Sequence, residues 1–298
     1  MLRHLTAQTN RLRHFASQEH FRMIHLKTPA EVAKMREAGL VVAAALDAVR
    51  TAIAPGVTTH DLDVIAADTI RDAGATSNFK GYAAGGDVPF PATICASIND
   101  EVVHGIPSKK RVLRDGDVIS VDCGAVLDGW HGDSAFTAGV GEVDPAIQTM
   151  LDGCEESMWR GIAVGLVGGR LSDIGHAIES YVRSQGPYGI VEEYGGHGIG
   201  TAMHMEPHVP NHGKPGRGLR LQAGLTLAIE PMIMMGKRHV VTLDDRWTVA
   251  TADRSWAAHF EHTFAVTPDG PLVLTAPDFG VARLGALGVV VPVASGTR

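Results

Sequence analysis

The sequence predicts an α+β fold, with antiparallel sheet inside and helices on the outer face. Three observations predict it. Helix signals come in adjacent pairs. Between the pairs lies a strong hairpin signal, Asp128-Gly129 flanked by alternating apolar residues, which argues against parallel βαβ winding. The helix pair then recurs. Gly56, Leu62, Ile70, Arg71 and Gly74 match Gly168, Ile174, Val182, Arg183 and Gly186 at a constant offset of 112. We read two related halves, 28–140 and 141–275, between an N-terminal extension, 1–27, and a C-terminal tail, 276–298.

In chain order, the first 22 residues carry Arg3, Arg11, Arg13 and Arg22 against one acid, Glu19. They read as a disordered extension, with an organelle transit peptide as the alternative. Thr28, Pro29 and Glu31 then form a capping box with proline at the first helical position, and a helix follows to about Ile53. Pro55-Gly56 stops it. A second helix runs from Thr59 to about Ala73 and ends at Gly74. The second pair starts at Asp144-Pro145, running to about Val164, and at Ser172, ending at Gly186. The segments "LTLAIEPMIMMG" and "AAHFEHTFAVT" read as strands.

Composition narrows the function. A chain of 298 residues that is 45% hydrophobic can bury a large core. A net charge of -7 provides no basic field for a nucleic acid backbone. Cys95, Cys123 and Cys154 form no CxxC pair, which suggests a reduced interior. The apolar run "LGALGVVVPVASG" is too short to span a bilayer and is broken by Pro292.

The chemistry concentrates in two places. The stretch "EEYGGHGIGTAMHMEPHVPNHG" holds His197, His204, His208 and His212 among glycines and prolines. Each of its glycines would cost a helix ~1 kcal/mol, so a strand end entering a loop is expected. The second place is a set of acids inside apolar strands: Asp122 and Asp133 on the two hairpin arms, Glu230 in "AIEP" and Glu261 in "FEHT". The hairpin puts Asp122 opposite Asp133 or within two residues of it, where like charges repel. Burying an unpaired carboxylate costs several kcal/mol. Of 26 lysines and arginines, none lies within two residues of these acids. Ion pairs with distant arginines are the bland solution, and a metal ion is the economical one. Four carboxylates and an imidazole suit Mn, Fe, Co or Zn. Five ligands are many for one catalytic ion, and two ions fit the count better.

In "ICASINDEVVHGIP", "DCGAVLDGWHGD", "GGHGIG" followed by "HMEP", "AIEP" and "FEHT", the chain resembles the type I methionine aminopeptidases of the pita-bread fold over about residues 28–275. The resemblance implies five metal ligands. Asp133 and Glu261 bridge two ions, Asp122 holds one, and His197 with Glu230 holds the other. His197 and Glu230 are 33 positions apart, which leaves no room for the helical insert of type II enzymes. His104 and His204 become the catalytic, substrate-contacting histidines, and His208 and His212 loop residues. The glycines let backbone and substrate pass close to the ions.

The implied activity is removal of the initiator methionine from nascent proteins, with preference for a small second residue. A dinuclear-metal hydroxide attacks the first peptide bond, Glu230 shuttles its proton, and His104 and His204 bond the peptide. Tyr82, Phe90, Cys95, Met203 and Trp247 fall at or near the methionine pocket, while Phe79 reads as core. In one departure, Tyr82 and Phe90-Pro91 stand eight apart across the Gly-rich 83–89 segment, where the family pattern spaces two aromatics by about three. The expected substrate is the N-terminal methionine of nascent chains, with the ribosome as a further candidate partner. No nucleic-acid or membrane partner is expected, and the setting is a cytoplasmic monomer. Proline-specific peptidases of the same fold are the runner-up, disfavoured by the short chain without a separate N-terminal domain. A metal-free binding protein on the scaffold would be expected to have lost ligands.

Overall fold

The computed structural model describes residues 24–83 and 88–292. Four long helices follow the cap signals closely. Helix α1, Pro29–Ala52, has the Thr28/Glu31 capping box, with both reciprocal bonds formed. Helix α2, Thr59–Asp72, repeats the device with Thr58 and Asp61. Helix α3, Pro145–Ala163, starts from Asp144, whose side chain accepts from the Ala146 N–H. Helix α4 is Leu171–Gln185. α1 packs on α2 and α3 on α4, each pair bracketing the sheet from outside.

Among the described residues, the strands form one nine-stranded and two three-stranded sheets, with antiparallel pairing. The hairpin Val118–Leu127 with Trp130–Gly139 lies within the large sheet, with all ten residue pairs in register. Its turn has positive φ at both Asp128 (49°) and Gly129 (79°), the mirror-image turn that matches strand twist. Glu261–Thr267 pairs with the hairpin on one side and with Thr226–Ile229 on the other. Gly196–Gly198 and Met205–Val209 follow. Side chains alternate between faces. Val121, Cys123, Ala125 and Phe136 therefore face the helices and are buried, while Asp122 and Ala135 face the other way. α1 lies close on the hairpin: a Cβ on Gly132 would sit 2.9 Å from the Gly39 nitrogen.

Several expectations need correcting. "LTLAIEPMIMMG" is two strands, Thr226–Ile229 and Met232–Met234, because Pro231 cannot donate to a ladder. "AAHFEHTFAVT" likewise divides into Ala257–His259 and Glu261–Thr267. The pieces Met232–Met234 and Ala257–His259 leave the large sheet and pair with each other and with Gly189–Ile190. The expected tail contains a short helix, Val281–Ala286, with Leu284 fully buried. The Arg36 guanidinium anchors the chain before it by donating to the carbonyls of Leu274, Ala276 and Pro277. Lys27, counted with the N-terminal extension, is docked: it is 5% exposed and its N–H donates to the Gly224 carbonyl at 2.7 Å. The transit-peptide alternative for residues 1–22 lies outside the described residues. No helix among the described residues is long and apolar enough to cross a membrane.

Candidate metal centre and substrate cleft

Strand register alone brings the acids together. Residues directly opposite on neighbouring strands share a face, and so do residues two apart on one strand. Asp122 registers with Ala135, and Ala135 with Glu261, in one row across three strands. Asp133, two residues from Ala135, registers with Gly124. The acids of the hairpin are thus diagonal neighbours. Thr263, two residues from Glu261, registers with Ala228, and Ala228 with His197. Glu230 follows two residues after Ala228. All five predicted ligands therefore sit on the sheet face away from α1 and α3.

Three of them converge tightly: ligand atoms of Asp133, His197 and Glu261 lie within 4.8 Å of one another. Asp122 and Glu230 line the same cleft. Hydrogen bonds lock the strands here. Thr263 Oγ1 donates to the Asp133 carbonyl at 2.8 Å, and Ser134 Oγ to the Glu261 carbonyl at 2.6 Å. Glycine admits the crowding beside His197. A Cβ on Gly196 would meet the Ala228 oxygen at 2.2 Å, and one on Gly198 the Glu206 oxygen at 2.1 Å. At both positions the space is filled by neighbouring strands of the protein itself. His197 Nδ1 donates to the Gly198 carbonyl at 3.0 Å, which leaves Nε2 as the ring's lone-pair nitrogen, 3.7 Å from Glu230 Oε1.

The charges in this cleft lack a cation. Asp122 Oδ1, Asp133 Oδ1 and Glu261 Oε1 are buried without a hydrogen-bond partner. Among the described residues no lysine or arginine pairs with them; Glu230 approaches only His197 and His259. Burial pushes the Asp122 carboxyl up to about 7 and Glu230 to about 8. Burial and then mutual repulsion push Asp133 and Glu261 well above the carboxylate range. Burial also holds His197 down to about 3 and His104 to about 4, so the imidazoles stay neutral. Orphaned carboxylates beside a neutral imidazole form a donor set suited to divalent ions.

Every predicted site residue lines this one cleft, with Tyr82, Phe90, Cys95, Met203, Trp247, His104 and His204 beside the acids. Its apolar wall is a separate small cluster of Phe79, Phe90, Ala92, Cys95 and Met203, with Tyr82, Ile106 and Trp247 against it. The eight-residue gap between Tyr82 and Phe90 closes at its neck: the Phe90 N–H donates to the Tyr82 carbonyl at 2.8 Å. Both aromatics thus reach the same wall, although 84–87 lie outside the described residues. His104 adopts φ of 61°, left-handed backbone uncommon outside glycine, and packs edge-on to Trp247 and Tyr194. His208, expected in a loop, lies in Met205–Val209 and registers with His197; His212 does lie outside any strand or helix. A larger cavity, about 470 Å³, lies between α1, α3 and the back of the sheet and contains none of these residues.

Two residues were missed. Phe79 belongs to the cleft wall as well as to the packing; it stands three before Tyr82, the aromatic spacing that marked the departure above. His259 is 1% exposed, and its Nε2 lies unpartnered 3.6 Å from Glu230 Oε2. Its position two before Glu261 was the available signal.

The model of metallopeptidase family M24 matches residues 33–268. Methionine aminopeptidase 1 of Mycobacterium tuberculosis is 54% identical over 259 residues, covering 85% of this chain and 96% of the relative. Methionine aminopeptidase 1 of Bacillus subtilis is 47% identical, covering 85% and 99%. The crystal structure of a methionine aminopeptidase from Thermotoga maritima superposes with a TM-score of 0.81 at 42% identity, covering 85% of this chain and 99% of that one. An Xaa-Pro dipeptidase from Bacillus anthracis, at 22% identity and a TM-score of 0.64, covers 85% of this chain and 62% of its own; it shares the fold.

Proposed function

The chain belongs to metallopeptidase family M24 and, within it, to the methionine aminopeptidases, and on that premise we propose how its cleft works and on what. The substrate is the N-terminal methionine of newly made chains, with a small second residue. Asp122, Asp133, His197, Glu230 and Glu261 would together hold two divalent ions. The observation that carries this is one sheet face bearing three candidate ligands within 4.8 Å, with two further acids and an apolar wall lining the same cleft.

When bound, the ions supply Lewis acidity towards the first carbonyl and acidify water. The residues do the rest. Glu230, with one oxygen near His197 and the other near His259, takes the attacking water's proton and delivers it to the leaving nitrogen. His104 and His204 hydrogen-bond the peptide and favour the oxygen that gains charge. Cys95, Met203 and the aromatics of the wall receive the methionine side chain, whose thioether is polarisable and makes good sulfur and ring contacts. A bulky second side chain would push the scissile carbonyl out of reach, which supports the small-residue preference.

Every residue invoked lies on one chain, so the site needs no residue from a second copy; the proposal is a monomer that acts on chains as they leave the ribosome, in the cytoplasm. The test is metal analysis of the purified protein together with methionine release from Met-Ala-Ser and Met-Leu-Ser peptides. Release from the first and little from the second is expected. Metal-loaded protein that releases no methionine from either would overturn the function; equal release would overturn the substrate preference.

A further inference from the structure

Tyr82 does more in this cleft than cover apolar surface. Phe79 and Phe90 already supply aromatic surface to the same wall. The neck formed by Gly81, Tyr82 and Phe90 fixes where its ring emerges: the Gly81 N–H donates to the Phe90 carbonyl and the Phe90 N–H to the Tyr82 carbonyl, each at 2.8 Å. The far arm is tied down too, since Trp247 Nε1–H donates to the Val88 carbonyl at 3.0 Å. From this anchored position the Tyr82 hydroxyl lies 2.6 Å from His204 Nδ1, and the two rings meet edge to face, 5.2 Å apart at 69°.

A neutral imidazole has one donor and one acceptor nitrogen, and a phenol can serve either way. The phenol is the stronger donor and the imidazole nitrogen the stronger acceptor, so the proton in this bond belongs to oxygen. Nδ1 then accepts, and Nε2 must carry the ring's hydrogen. That is the tautomer a histidine needs to donate to an oxygen gaining negative charge. We propose that Tyr82 is a positioning residue: its hydroxyl fixes His204 as the Nε2–H tautomer and presents that N–H to the peptide carbonyl in the cleft. The catalytic consequence rests on His204 being a donor to substrate, as in the function proposed above.

Tyr82→Phe keeps the ring and removes only the bond. A hydrogen bond of ordinary net strength predicts a fall in kcat of roughly three- to tenfold, with KM within about twofold, because the bond matters to the transition state. In a His204→Ala background the same change should cost nothing further. Nitrogen-15 spectra of the histidine-labelled, zinc-loaded full chain, assigned through His204→Ala, should show His204 as Nε2–H in the wild type and as a mixture in Tyr82→Phe. A wild-type His204 in the Nδ1–H form overturns the proposal. So does an unchanged kcat in Tyr82→Phe when His204→Ala is crippled. If His204→Ala keeps full activity, the donor role of His204 fails, and the catalytic consequence of Tyr82 fails with it; the spectra still decide whether the bond sets the tautomer.

Discussion

Asp122 and Glu261 register against the same residue, Ala135, from opposite sides of one strand. Two carboxylates are thereby fixed on one face at a separation the chain cannot relax, with Asp133 on the same face. Such an arrangement is unfavourable by itself and stable with a cation between the groups.

Asp122→Asn should therefore fold and fail. The amide removes a like charge from beside Asp133 and Glu261, so the metal-free protein should melt no lower than wild type. It also removes an anionic group proposed to hold a metal ion. Loss of even an indirect metal contact costs about 10–100-fold, so the fall in turnover should exceed about a hundredfold. Calorimetric melting with metal analysis checks both halves, and near-normal occupancy and activity would count against the assignment.

Crowding beside His197 yields a second expectation. In Gly198→Ala the new methyl would overlap the Glu206 carbonyl, which belongs to backbone and cannot swing aside. The strand Gly196–Gly198 must shift and carry His197 with it. Overpacking of this kind costs about 1–3 kcal/mol. Metal affinity should fall together with stability. Gly129→Ala, where nothing lies within 4 Å, should cost only the strain of its positive φ and leave metal binding intact. Thermal melts and metal titration of the two variants separate these outcomes.

Metal removal should expose the acids in a pH profile. In the metal-free protein Asp122 holds its proton to about 7 and Glu230 to about 8, against ordinary values of 3.8 and 4.5. Values raised in the folded state mean stability that is fully present below the unfolded values and lost as pH rises through the folded ones. Below about 6.5 the buried histidines oppose this trend: His197 and His104 have lowered folded values, so their contribution grows with pH. Above about 7 the histidines are neutral in both states, and the acids decide. The metal-free protein should thus lose a few degrees of Tm between about pH 7 and pH 8.5. The metal-loaded protein should lose less, because a divalent ion favours the ionised carboxylates. Parallel profiles for the two forms would contradict this.

The acids of the cleft were legible because they break a rule. Carboxylates at apolar strand positions without neighbouring cations have few physical explanations, and Asp128-Gly129 fixed the register that brings two of them together. Helix boundaries were legible from the cap at Thr28 and from Asp144-Pro145. Phe79 was not, since an aromatic in a core and one lining a cleft look alike in one dimension. His259 was hidden inside what read as a single strand, whose break at Phe260 depends on which sheet each half joins. The return of Phe90 to Tyr82 is a backbone contact across eight residues, and no local pattern announces it.

The two cleft histidines should part company under metal titration. His197 has its Nδ1 committed to the Gly198 carbonyl and its Nε2 facing Glu230, among ligand atoms within 4.8 Å. His104 lines the same cleft in left-handed backbone, edge-on to the rings of Tyr194 and Trp247, and is absent from that group. His197→Ala removes the proposed nitrogen ligand, so metal affinity and rate should both collapse. His104→Ala removes a proposed donor to the reacting peptide, and such a donor is typically worth about 10²–10³-fold in kcat. Its metal content should stay at the wild-type value. An activity assay alone would find both variants impaired, and calorimetric metal titration would tell them apart. Should His104→Ala lose metal as severely as His197→Ala, the division between ligand and catalytic histidine is wrong, and His104 belongs to the metal centre.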